Sequence, residues 1–110
     1  MRHSITAALE RHRDYTQSFA TEPYECAWAT EAIFFIRVQE LEGENPALQA
    51  RVQVSPDGIH WADEGTEFQR IDQLGVSFVR VTHFGGWLRL EGSVEGEQAR
   101  FNVNINLVLK

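Results

Sequence analysis

The sequence predicts an all-β protein, an antiparallel β-sandwich of jelly-roll type with a short N-terminal helix or arm. Three observations carry that prediction. Over Phe101–Leu109, Phe101, Val103, Ile105, Leu107 and Leu109 alternate with Asn102, Asn104 and Asn106, the two-residue period of a strand with one face on a core. From Ala32 onward the shorter apolar runs keep the same period. Between them fall clusters of Gly, Pro and Asn at the spacing of strands joined by turns.

The elements follow in order. Ser4 precedes Ile5, Ala8, Leu9 and His12, a spacing that predicts a short helix with Ser4 as its N-cap. Tyr15, Phe19 and Tyr24 fit an extended arm equally well, so residues 1–25 read as a helix or arm and 26–110 as the sandwich. Ala32 to Val38 predicts a strand covered on both faces at its start. Glu42-Gly43-Glu44-Asn45-Pro46 predicts a turn, and Ala50, Val52 and Val54 the inward face of the next strand. Ser55-Pro56-Asp57-Gly58 predicts a compact turn, with Ile59-His60-Trp61 returning the chain. Val76–Phe84 and Trp87–Val94 predict two further strands, with a bulge at Gly92. Glu95-Gly96-Glu97 then predicts a turn into the last strand.

Composition narrows the functional classes. A chain of 110 residues and 12.6 kDa holds one domain. A net charge of −6 is the wrong sign for a general phosphate-backbone binder, so no nucleic-acid partner is expected. The longest apolar run, Ala32–Ile36, falls far short of the roughly 20 residues that cross a bilayer, and no membrane partner is expected. No apolar stretch follows Arg2 and His3, so no signal peptide is expected. The single Cys26 excludes an internal disulfide and fits a reducing compartment. The expected location is therefore cytoplasmic or within a virion or shell.

Val52-Gln53-Val54-Ser55-Pro56-Asp57-Gly58-Ile59-His60-Trp61 resembles the S-x-D-G-x-x-W hairpin of discoidin-like and phage-type jelly-roll modules. Phe78-Val79-Arg80-Val81 and Leu88-Arg89-Leu90-Glu91-Gly92 are similar to later strands of the discoidin family, in the same order, and the resemblance spans about residues 47–92. It implies a β-sandwich that binds glycans or builds assemblies. Discoidin domains are longer and often carry a cysteine pair, where this chain has one cysteine. On physical grounds alone, Asp57 is expected to accept turn amides, Gly58 to take the left-handed position and Trp61 to cover the turn.

No catalytic, cofactor or metal site is predicted. Cys26, between Glu25 and Ala27, has no histidine near it in sequence, and a nucleophile there would need His60 or His83 brought to it by folding. His3, His12, His60 and His83 lack zinc-site spacing, leaving only His60 with Asp63 and Glu64 as a weak hard-metal grouping. No phosphate-cradling glycine loop or nucleophile elbow is present.

The candidate residues are therefore those of an interaction surface. His83, Phe84 and Trp87 place aromatics at a glycine-hinged turn, the kind of group that anchors partners or stacks on sugars. Nine Arg against one Lys put Arg37, Arg51, Arg80 and Arg89 on strands, where planar guanidinium groups suit interfaces. Asn102, Asn104 and Asn106 line one strand face despite poor strand propensity. These features predict a non-enzymatic structural or interaction module that forms homo-oligomers. The second expectation is a carbohydrate-binding module using Trp87, Phe84, His83 and the Asn row.

Overall fold

The computed structural model describes residues 4–110, so Arg2 and His3, used above to read the N-terminus, lie outside the described residues. The all-β class holds. Seven strands form one antiparallel sheet: β1 (Ile5–Tyr15), β2 (Phe19–Ala20), β3 (Tyr24–Glu25), β4 (Glu31–Ser55), β5 (Ala62–Glu67), β6 (Gly75–Thr82) and β7 (Trp87–Leu109). β7 and β4 are its centre. β1, β2 and β3 pair with β7, and β5 and β6 pair with β4.

The 25-residue β4 and 23-residue β7 pair from Ala32↔Leu109 to Ser55↔Trp87. Straight strands of that length would reach roughly 75 Å at about 3.3 Å per residue. The longest dimension of the molecule is 45 Å, so the ribbon bends. Its register shifts between Val38 and Glu40, between Glu42 and Glu44, and between Glu44 and Ala47. Left-handed backbone occurs on both strands there, at Gly43 (φ 112°) and Asn45 (48°) on β4 and at Gly96 (115°) and Gln98 (53°) on β7. A Cβ on Gly43 would lie 2.6 Å from the Ala99 Cα, and one on Gly96 would lie 2.8 Å from the Glu44 carbonyl oxygen. Only glycine fits either place. The two segments read as reversing turns, Glu42–Pro46 and Glu95–Glu97, thus face each other and bend the ribbon together without reversing either strand.

The bend divides the sheet into a first half (β1, the end of β7, the start of β4, β6) and a second half (β2 and β3, the start of β7, the end of β4, β5). Phe34, Ile36, Ile105 and Leu107 of the first half share one apolar cluster with Leu48, Val52, Leu88 and Leu90 of the second. The expected sandwich strands therefore belong to a single, continuously hydrogen-bonded sheet.

The N-terminal helix is corrected to a strand. Ile5 and Ala7 face Leu109 and Leu107 across the ladder, and Leu9 is buried. Register shifts between Ala8 and Glu10 and between Glu10 and Arg13, with His12 at φ 48°, interrupt the alternation and disguise the strand in sequence. Ile5–Tyr15, Phe19–Ala20 and Tyr24–Glu25 are paired into the sheet, so this segment is not an arm. Two smaller corrections concern turns and bulges. β5 begins at Ala62, so Ile59–Trp61 belong to the turn. Gly92 keeps regular register with Ala50; its missing side chain admits the Phe19 ring and the Gln49 carbonyl.

Candidate interaction surfaces

The outer face of the first half is built by strict alternation. Ile33, Phe35 and Arg37 of β4 lie opposite Arg80, Phe78 and Val76 of β6, and opposite Val108, Asn106 and Asn104 of β7. Their neighbours in sequence point into the core, which leaves this row outward. Val76 is 63% exposed and Phe78 48%. The Phe35 and Phe78 rings are 5.8 Å apart, and the Arg80 guanidinium lies 5.0 Å over Phe78. Arg37 and Arg80 form no ion pair among the described residues.

Two of the three asparagines are occupied internally. Asn102 is buried; its Nδ2 donates to Asp14 Oδ1 at 2.8 Å, and its Oδ1 accepts from Gln39 Nε2 at 3.1 Å. Asn104 Oδ1 accepts the His12 N–H at 2.7 Å, satisfying the backbone where β1 bulges. These amides fasten β1 to the central strands, which explains asparagine in a strand it disfavours. Asn106, half-buried, is left on the open face. The Asn102 amide and then Arg100, 2.7 Å from Asp14, hold the Asp14 carboxyl below its ordinary value. Arg100 also reaches Glu42 at 3.0 Å and Glu40 at 3.4 Å, tying three carboxylates together beside the bend.

The second half closes its outer polar groups on one another. Arg89 donates to Gln53 Oε1 at 2.8 Å and lies 4.3 Å over the Trp61 ring. Gln53 in turn donates to Asp63 at 3.0 Å, while Arg51 pairs with Glu91 at 3.0 Å and with Asp63 at 3.6 Å. Arg80 and Arg89, grouped in sequence, therefore sit on different halves, and only Arg80 faces an open apolar surface.

The aromatic turn is also divided. His83 is exposed at φ 55°, Phe84 packs against the core, and Trp87 is half-buried. A Cβ on Gly58 (φ 79°) would lie 3.2 Å from the Trp87 ring, so Trp87 covers the turn and Trp61 stacks beneath Arg89. Trp28, 47% exposed, was invisible in sequence because no pattern around it separates a surface tryptophan from a core one.

Around that turn, Asp57 Oδ1 accepts the Ile59 and His60 N–H groups at 2.9 Å and the Ser55 hydroxyl at 2.9 Å. Ser55 Oγ accepts the Asp57 and Gly58 N–H groups at 3.2 and 2.8 Å. The His60 amide and ring, the Ile59 amide and the Ser55 hydroxyl hold the Asp57 carboxyl well below the usual carboxylate range. A carboxyl depressed in the folded state stabilises it above the unfolded value of about 3.9, and that contribution is lost as pH falls towards the folded value. Asp57→Asn is therefore expected to lower Tm by several degrees at pH 6, with the gap to wild type unchanged down to about pH 4.5 and narrowing from there towards about pH 2. Thermal melts across that range check it; a gap that does not change with pH contradicts it.

Chemistry is disfavoured at Cys26. The thiol is buried and bonded to the Gly86 carbonyl at 3.4 Å, and burial followed by the Glu25 charge pushes its pKa up to about 11. That is opposite to the thiolate activation a nucleophile needs. The expected result is negligible reaction with Ellman's reagent at pH 8 in the folded protein and one equivalent on denaturation. Fast native labelling contradicts it. His60 is engaged by Asp57 at 2.7 Å, and among the described residues no group of three or more metal-ligating side chains converges, His60 with Asp63 and Glu64 included. No protein-family model and no curated protein matches the chain.

Proposed function

We propose that this protein is a non-enzymatic interaction module that associates with copies of itself, in the manner of virion- or shell-associated proteins. The observation that supports this reading is the outer face of the first half. Phe35, Phe78, Ile33 and Val76 form an apolar strip flanked by the guanidinium groups of Arg37 and Arg80, which have no ion-pair partner among the described residues. Exposed apolar surface of this kind, joined to arginine and aromatic side chains, is the composition of interface centres. The glycan reading loses most of its named residues, since Phe84 serves the core and Trp87 covers the Gly58 turn.

Light scattering on a sizing column, at two concentrations about tenfold apart, tests the proposal. A mass well above 12.6 kDa at both is expected. A monomer at both overturns it and turns attention to a glycan screen, with Trp28→Ala as the control.

A further inference from the structure

A sheet that is not closed has edges, and edges with free backbone groups recruit other strands unless they are protected. Four of the five outer strands here carry protection. β1 has two register shifts and the charged run Glu10–Asp14. β2 and β3 are two residues each. β5 carries Asp63, Glu64 and Glu67, with Gly65 at φ 112°. Beyond Gly75 (φ 129°) at its first position, β6 has none of these. Its eight residues pair with β4 in eight consecutive positions without a shift, and Arg80 is its single charge. A groove of about 510 Å³ runs beside it, lined by Leu74, Val76 and Phe78 together with the charged Glu67, Arg70 and Asp72, with Leu74 60% exposed.

We infer that β6 pairs edge to edge with β6 of a second copy, antiparallel about a two-fold axis through Ser77. This rests on the self-association reading and names its contact. The occupant follows from the edges. Among the described residues the one edge without such protection that a second copy can offer is its own β6, so the contact is isologous. The register follows from charge. With Ser77 opposite itself, Phe78 meets Val76 of the second copy, a favourable aromatic and β-branched pair. Arg80 then meets Leu74 of the second copy, close to the segment carrying Asp72, and the two Arg80 residues stand roughly 20 Å apart at about 3.3 Å per residue. Centring the axis on Phe78 instead would set Arg80 against Val76 of the second copy, whose β4 neighbour is Arg37, and would oppose like charges. The first halves of the two copies become one continuous layer, and the Phe35–Phe78 strip runs across the junction.

The test compares wild type with Val76→Lys, with Ile59→Lys as a control at a 74% exposed turn position, and with Ser77→Cys. Both lysine variants change exposed side chains, and circular dichroism with thermal melting verifies that they fold. Expected is a wild-type dimer, a Val76→Lys monomer and an Ile59→Lys dimer. Ser77→Cys is expected to form a disulfide-linked dimer on mild oxidation, because directly opposed residues have Cα atoms within disulfide reach. A dimer that persists in Val76→Lys overturns the edge contact while leaving self-association standing. Dimers in which Ser77→Cys does not cross-link overturn the register. A wild-type monomer at every concentration overturns both readings.

Discussion

Gly92→Val is expected to destabilise the protein by more than about 3 kcal/mol, above the common range for overpacking, because the obstacle is backbone. Gly92 lies on β7 opposite Ala50 and Phe19. A Cβ there would fall deep inside contact distance of the Gln49 carbonyl oxygen, 2.8 Å from the Phe19 ring and 3.0 Å from the Ala50 Cα. The Phe19 ring also stacks on Tyr15 at 3.9 Å, so moving it away disturbs a second buried group. Shortening Phe19 to leucine in the Gly92→Ala background is expected to recover little, since the Gln49 backbone remains in place. Against total stabilities of about 5–15 kcal/mol, the valine variant should melt far below wild type or fail to fold. Thermal and urea unfolding measure it, and a melting temperature within a few degrees of wild type would show that the strands can separate at this point.

Phe101→Ala is the second large effect, at about 3–5 kcal/mol for loss of a fully buried phenylalanine. Phe101 lies beside the bend, opposite Leu41 of β4 and Tyr15 of β1, where the three strands meet. At about 4–8 °C per kcal/mol for a small domain, the expected fall in Tm is more than about 12 °C. Phe78→Ala removes an equally large ring from the exposed face and should cost the isolated chain about 1 kcal/mol, the order of its cross-strand contact with Phe35. The contrast separates the two aromatic groups: one is buried in the core, the other stands exposed on the sheet face. Equal losses at both positions would contradict the outward placement of Phe78.

Legibility in the sequence followed the range of the interactions. Phe101–Leu109 was readable because one strand face meets the core and the other carries polar groups, so alternation survives in a single segment. The Ser55–Gly58 turn was readable because its bonds run over two or three residues. β1 was not. Its bulges break the period, and what holds them, His12 to Asn104 and Asp14 to Asn102, spans 92 and 88 residues of chain. Glu42–Pro46 and Glu95–Glu97 were read as turns between separate strands, whereas they lie within β4 and β7 as paired irregularities. Alone, either would reverse a strand; side by side, they bend two strands as one.

The candidate surface divides in the same way. Sequence alone determined the all-β class, the main alternations along β4 and β7, and the Asp57 turn. Tertiary structure decided what those side chains meet. It placed Arg89 against Gln53 and Trp61 while leaving Arg80 beside an open Phe78, engaged Asn102 and Asn104 in fastening β1, and set Trp87 over the Gly58 turn. The physical reason is that alternation assigns a side chain to a face through its own strand. Whether that face is covered depends on strands that arrive from elsewhere in the chain.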